Sequence, residues 1–199
     1  MINKKQITKV CNNCSECGLP VITCICNSIR KVETKAKFII LSSEQEVYRN
    51  TNTANLLKLI NPKSTEIIIW KRGEVAEKVL NYINSNIYST YLIFPIINEE
   101  MKKRKIQYSK SNSIPVFIIV DGTWKEAWKI IRKSNYLKDL PIISLDIERS
   151  SKFSLRRGQE DGNLCTVETA IELLKMNKEN NISEIIDKSF ELFLESYKA

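Results

Sequence analysis

The chain contains no histidine, which removes the commonest general acid–base and the commonest metal ligand together. Proton transfer must fall to a carboxylate, Lys, Tyr, Cys or the substrate itself. A Ser/His/Asp or Cys/His nucleophile is excluded on the same ground. One remaining candidate is Asp121, which follows the continuous apolar run Pro115-Val116-Phe117-Ile118-Ile119-Val120 and precedes Gly122 and Thr123. A carboxylate therefore sits where a buried strand gives way to a helix, and in open α/β sheets ligands bind in the crevice at the carboxyl ends of the strands. The plainer alternative is that Asp121 only shapes a tight turn with Gly122.

A second constellation is cysteine-rich. Cys11, Cys14, Cys17, Cys24 and Cys26 lie within sixteen residues, with Cys165 alone far downstream. In a cytosolic chain such clustering points to metal before disulfides. The CxxC of Cys14 and Cys17, a short loop with Gly18 and Pro20, and the CxC of Cys24 and Cys26 supply four thiolates. Four sulfurs suit a closed, structural zinc site with no open position for catalysis. Cys11 can replace one ligand in this reading, and an iron–sulfur cluster is the second choice of occupant.

The elements that must position these groups follow from periodicity. Apolar runs mark strands at Phe38–Leu41, Ile67–Trp70, Tyr91–Pro95, Pro115–Val120 and Pro141–Leu145. A capping box, Ser43 to Glu46, opens a helix expected to run to Asn61-Pro62. Further helices are expected near Glu74–Tyr82, after the cap Thr123 with Glu126, near Cys165–Met176 and near Ser183–Tyr197. Met101-Lys102-Lys103-Arg104-Lys105 opens a polar stretch to Asn112 and reads as a solvated loop, with a phosphate-contacting arm as the alternative. Strands alternating with helices argue an α/β fold, a mainly parallel sheet with helices on both faces. Polar residues then gather at one edge: Glu46, Arg49, Asn52 and Thr53 after the first strand, Asp121, Thr123 and Trp124 after the central one, and Arg156, Arg157, Thr166 and Glu168 around the penultimate helix. Neither GxGxxG nor a P-loop is present to cradle phosphate.

At 199 residues and 43% hydrophobic, the chain can bury a real core, and its length suits one domain with a small appendage. Residues 1–33 are taken as the zinc-binding module and 34–199 as the catalytic domain. All apolar runs fall well short of the roughly 20 residues needed to span a bilayer. The polar start at Met1–Gln6 lacks a secretion signal's apolar centre, so no membrane is expected and the location is read as cytoplasmic. Lys+Arg 31 against Asp+Glu 23 gives a formal charge of +8, a bias toward a polyanionic partner.

Asp121-Gly122-Thr123-Trp124 resembles the D-x-T-W signature of the DTW-domain family, the tRNA-uridine aminocarboxypropyltransferases. Other motifs fall in the family's order. Cys14, Cys17, Cys24 and Cys26 match its cysteine cluster. Glu46, Arg49, Asn52, Thr53 and Ala54 match its H-P-x-E-x-x-R-x-x-N-T-A stretch, and Phe94-Pro95 its third-strand motif. Ser151–Arg156 and Leu164–Ala170 match its C-terminal signature. The likeness spans Cys14 to Ala170, with Ser43-Glu44 standing where the family has His-Pro.

The resemblance implies a SPOUT-like sheet whose C-terminal half is threaded as a trefoil knot, a topology too rare for periodicity to suggest. It implies transfer of the 3-amino-3-carboxypropyl group of S-adenosylmethionine to N3 of a tRNA uridine. In that frame Asp121 is the first choice of base, with Glu46 or Glu168 second. Phe94, Pro95, Asp121, Thr123, Trp124, Leu164, Thr166 and Glu168 are expected at the cofactor. Glu46, Arg49, Asn52, Thr53, Lys125, Arg132 and Arg156 are expected at the RNA, with Lys129 beside them. Arg49 and Arg156 suit the methionine carboxylate or an RNA phosphate, since a planar fork fits either. Trp124 either stacks on a base or fills core. No obligatory protein partner is inferred. The competing readings are an S-adenosylmethionine-dependent RNA methyltransferase and a non-catalytic zinc-containing RNA-binding protein.

Overall fold

A computed structural model describes residues 13–145, 151–153 and 164–198. Five strands, β1 (Lys37–Ser42), β2 (Thr65–Ile69), β3 (Tyr88–Ile93), β4 (Ile114–Asp121) and β5 (Ile142–Ile143), form one sheet in the order β2-β1-β4-β3-β5. Every pairing is parallel. The helices are α1 (Glu44–Val47), α2 (Thr53–Ile60), α3 (Glu77–Ile83), α4 (Glu99–Arg104), α5 (Trp124–Lys133), α6 (Thr166–Met176) and α7 (Asn180–Lys198).

The pleat divides the core into two layers. Phe38, Ile40, Phe117, Ile119 and Ile93 face α2, α6 and α7, meeting Leu57, Leu173 and Phe190. Ile39, Leu41, Val116, Ile118 and Leu92 face α3, α4 and α5, meeting Val79, Met101 and Ile130. Side chains alternate across a strand, so a run buried on both faces must be apolar throughout, as Phe38–Leu41 of β1 and Pro115–Ile119 of β4 are. The expected two-sided parallel α/β sheet is thus the observed one. In register, Ser42 pairs with Asp121, which brings the last residues of the two central strands to one edge. Among the described residues no helix is long and apolar enough to cross a membrane.

Three local expectations need correction. The helix expected from Ser43 to Asn61 is two helices, because Asn52 starts a second one: its Oδ1 accepts from the Ala54 amide at 2.6 Å. Asn50, Thr51 and Asn52 compete with helical hydrogen bonding through their own side chains and favour caps and turns. The basic block at 101–105 is not a solvated loop through Arg104. Asn98 caps α4 by accepting from the Met101 amide at 2.8 Å, and Glu99 and Glu100 at its start with Lys102, Lys103 and Arg104 at its end complement the helix dipole. Arg104 turns inward, donating to the carbonyls of Leu137 at 2.8 Å and Leu140 at 2.9 Å. The last strand keeps only two of its five expected residues, pairing with β3 and, on its other side, only through a single bridge from Lys105 to Ile142.

The cysteine segment folds against this body. Cys17, Leu19 and Ile25 are buried in the same apolar cluster as Ala54 and Leu57 of α2. Its turn is closed by the Cys14 amide donating to the Leu19 carbonyl at 2.7 Å and the Gly18 amide to the Cys14 carbonyl at 2.9 Å.

Phe117 lies fully buried among the rings of Phe38, Tyr91 and Tyr108, with centroids 5.5 to 6.0 Å apart. Phe117→Ala should lower unfolding free energy by about 3–5 kcal/mol in urea titration. Tyr48→Ala, on a side chain 74% exposed, should change it by no more than about 0.5 kcal/mol; equal effects would show that this layer is not the core.

Candidate active site and metal centre

Asp121 is 7% exposed at the end of β4. Its Oδ2 accepts from Ser42 Oγ at 3.0 Å and Asn52 Nδ2 at 2.9 Å. Its Oδ1 accepts from Thr166 Oγ1 at 2.7 Å. Burying a carboxylate is costly unless its lone pairs are met, and here three neutral donors from β1, the α2 cap and α6 meet them. A carboxylate offers about four acceptor positions, three of which are met here, and Asp121 also borders an open space. That space is a cavity of about 420 Å³ bordered by Asp121, Glu46, Arg49, Thr53, Phe94, Pro95, Thr123, Trp124, Leu164 and Thr166 among others.

Each wall has a local cause. Glu46, 5% exposed, forms an ion pair with Arg49 at 2.8 Å. Asn52 Nδ2 also donates to the Glu46 carbonyl at 2.7 Å, fixing the break between α1 and α2. The expected capping box of α5 is present: Thr123 N donates to Glu126 Oε2 at 2.8 Å, and Glu126 N donates to Thr123 Oγ1 at 3.4 Å. Burial would raise the Glu126 carboxyl, but hydrogen bonds from Thr123 and Ser43 and the Arg49 charge outweigh it and leave it below the usual range. Trp124 is not core: it is 54% exposed and stacks on Phe94 at 5.3 Å and 13°. Trp128 stacks on Phe94 at 6.5 Å, so the buried Phe94 ring holds the indole at the rim in an orientation aromatic pairs favour.

Several expected site residues lie elsewhere. Asn52 sits behind Asp121 rather than in the cavity wall. Glu168 is 1% exposed, and its oxygens accept from Ser151 Oγ, the Lys152 amide at 2.7 Å and the Cys165 amide at 3.0 Å. It fastens the strap 151–153 to the start of α6 and does not border the cavity. Lys125, Lys129 and Arg132 are exposed on α5. The Lys129 ammonium lies over Trp70 and the Arg132 guanidinium over Trp128, each about 6 Å from the ring centroid. Arg156 and Arg157 lie outside the described residues. The cavity also gains Thr51, Leu145, Phe153, Cys165 and Thr169, which were not singled out. Phe153, Cys165 and Thr169 fall inside the motif segments Ser151–Arg156 and Leu164–Ala170, which is the signal that could have found them. Burial pushes the Cys165 thiol well above its ordinary value, with the Glu168 charge adding to it.

The sulfurs of Cys14, Cys17, Cys24 and Cys26 all lie within 4.8 Å of one another. Zinc held about 2.3 Å from each of four sulfurs in a tetrahedron sets them about 3.8 Å apart. Cys14 and Cys26 are 3.6 Å apart, and Cys17 and Cys24 are 3.7 Å apart, so the donor set fits such a cation. Cys11 lies outside the described residues. The thiols titrate unequally: the backbone amides of Cys17 and Glu16 draw Cys14 down to about 6, while burial raises Cys17 and Cys26. A cation needs all four as thiolates, so loading releases protons and weakens as pH falls. One zinc per chain should be found by elemental analysis, its apparent affinity should drop in acid, and a chelator should lower the melting temperature. Full stability with less than about 0.1 metal per chain would remove the metal reading.

The chain can now be set beside known proteins. It is similar to tRNA-uridine aminocarboxypropyltransferase 2 of Drosophila melanogaster, 24% identical over 176 residues, covering 82% of this chain and 65% of that relative. The chain thus spans slightly under two thirds of the relative's length. No solved structure matches. The family model for the DTW domain matches residues 11–198, taking in the cysteine turn, the sheet and both C-terminal helices, and the chain belongs to the DTW-domain family.

Proposed function

We propose that the protein is a cytoplasmic enzyme that transfers the 3-amino-3-carboxypropyl group of S-adenosylmethionine to N3 of a uridine in tRNA. The observation that carries this reading is buried Asp121 lining a cavity that the stacked Phe94–Trp124 pair also lines. The cavity volume falls in the range of about 300–1,000 Å³ usual for small-molecule sites. An exposed indole backed by a buried ring offers a face for adenine or uracil. Asp121 and Glu46 turn negative charge toward a sulfonium, and Arg49 offers a planar fork to a carboxylate or phosphate.

When bound, S-adenosylmethionine supplies an electrophilic carbon beside its sulfonium. Uridine N3 carries a weakly acidic proton, so the chain must remove it and hold the ring in line. Asp121 takes that proton through its remaining acceptor position, with Ser42, Asn52 and Thr166 fixing its orientation. Glu168 leaves the list of bases because its oxygens are engaged behind the wall, and Glu46 stays as second choice. Phe94, Pro95, Thr123, Trp124, Leu164 and Thr166 border the cofactor. Glu46, Arg49 and Thr53 face the nucleotide, and Asn52 acts through Asp121. Lys125, Lys129 and Arg132 meet the RNA backbone, contacts that weaken steeply with salt, and Arg156 is assigned to the same partner. Zinc is structural in this reading. The SPOUT-like, knotted form of the sheet belongs to the same proposal, with the connection from β5 to α6 passing through 146–150 and 154–163.

Nucleoside mass spectrometry of tRNA incubated with the protein and S-adenosylmethionine tests the reaction. An aminocarboxypropyl adduct is expected; a methyl adduct would replace this reading with a methyltransferase, and no adduct with no cofactor binding would favour a non-catalytic RNA-binding protein. Asp121→Asn should lower turnover by about 10²–10⁴-fold, the usual weight of a general base, while cofactor and tRNA still bind. Unchanged turnover would take the base role from Asp121.

A further inference from the structure

Gly18, one residue past the metal-ligand candidate Cys17, touches the segment that carries Arg49. It has φ +75°, and a Cβ built on it would lie 2.7 Å from the Asn50 carbonyl oxygen and 3.3 Å from the Asn50 carbonyl carbon and Cα. These are backbone atoms, which cannot swing aside as a side-chain tip can. Asn50 is the middle of the break between α1 and α2. Arg49 and Thr51 on either side of it border the cavity, and Asn52 next along donates to Asp121 at 2.9 Å. Beyond Gly18, the segment is held from the α2 side, by the Asn52 amide donating to the Arg49 carbonyl at 2.9 Å and Asn55 Nδ2 to the Val47 carbonyl at 3.0 Å.

We infer that the cysteine turn is a buttress for the cavity: the metal-loaded turn presses Gly18 against Asn50 and so sets where Arg49 and Thr51 stand, making Gly18 and Asn50 positioning residues. The physical ground is that Gly18 is held between fixed points. Its amide is tied to the Cys14 carbonyl, its neighbour Cys17 is 4% exposed in the core, and the four sulfurs close the turn when they share a cation. A turn so closed cannot retreat from Asn50, and a loose one can. Arg49 pairs with Glu46 across this segment, so displacement of Asn50 is passed to the charged wall of the cavity. The consequence for tRNA rests on the proposed function; the mechanical coupling does not.

Gly73 supplies a matched control. It has φ +82° and nothing within 4 Å of a built Cβ. Gly18→Ala and Gly73→Ala therefore carry similar backbone strain, and only the first pushes on Asn50. Both variants should retain one zinc per chain. Gly18→Ala alone should speed amide hydrogen exchange in 48–52, and should raise KM for tRNA about tenfold or more with kcat reduced less, since misplacement near 1 Å can cost about 10²-fold. Should the two variants exchange alike across 48–52, the buttress is refuted whatever the tRNA assay gives. If Gly18→Ala fails to hold metal or to fold, the wild-type chain stripped by a chelator decides: faster exchange in 48–52 with the α5 and α7 amides still protected supports the inference, and unchanged exchange there overturns it. Absence of any tRNA product from the wild type would sink the proposed reaction while leaving the exchange comparison to judge the buttress.

Discussion

A single carboxylate holds the working edge of this sheet together. Asp121 accepts hydrogen bonds from residues 79, 69 and 45 positions away in sequence, so β1, the α2 cap and the start of α6 converge on two oxygen atoms. Hydrogen bonds to a charged acceptor are worth more than neutral ones, about 1.5–3 kcal/mol each. Losing the acceptor also leaves three buried donors unsatisfied. The group nearest the proposed chemistry is thus the group that assembles its surroundings. The carboxylate at the cavity is fixed by three hydrogen bonds, while the indole at the rim is left half exposed.

The same device recurs away from the cavity. Glu168 collects the Lys152 and Cys165 amides and the Ser151 hydroxyl. Glu179 collects the Lys35 amide at 2.8 Å, the Ala36 amide at 3.1 Å and Asn177 Nδ2 at 2.7 Å, tying the entry of β1 to the turn between α6 and α7. Although the chain carries an excess of cations, these three buried acids are met by neutral donors in every contact described. That leaves Lys125, Lys129 and Arg132 exposed on α5. Lys152 is an instructive partial case, its ammonium bridging Asp187 and Glu191 on α7 while its backbone serves Glu168. Those pairs are about a third to a half exposed, and such pairs stabilise little; the Glu168 contacts carry the strap.

The strands, their two-sided burial and the place of Asp121 were legible because each rests on local periodicity: a run apolar at every position has few ways to be solvated. The capping box at Thr123 was legible for the same reason. What escaped was set by longer-range contacts. The break at 48–52 depends on Asn52 serving Ala54, Glu46 and Asp121 at once, and nothing in a helical pattern announces that. Arg104 looked like part of a solvated charge block because its partners, two carbonyls near Leu140, are distant in sequence. Glu168 carried a motif's weight, but a motif position does not say whether a carboxylate faces the cavity or the wall behind it. The four-cysteine spacing was the most transparent signal, since two short ligand pairs around a tight turn leave the sulfurs little freedom.

Ser43 stands where the resemblance to the family expects a histidine. Its hydroxyl accepts from the Glu46 amide at 3.4 Å and donates to Glu126 Oε1 at 3.1 Å, joining the start of α1 to the start of α5. That joint needs one acceptor and one donor, which a hydroxyl supplies as well as a neutral imidazole does. A serine, however, brings no group that titrates near neutrality. Among the described residues, the acidic groups bordering the cavity are Asp121, Glu46 and Cys165, and burial raises the Cys165 thiol well above its ordinary value. Two of these three are carboxylates. Glu46 is paired with Arg49, while Asp121 is held by three neutral donors and borders the cavity, so the carboxylate proposed as base is the one on which the fold itself converges.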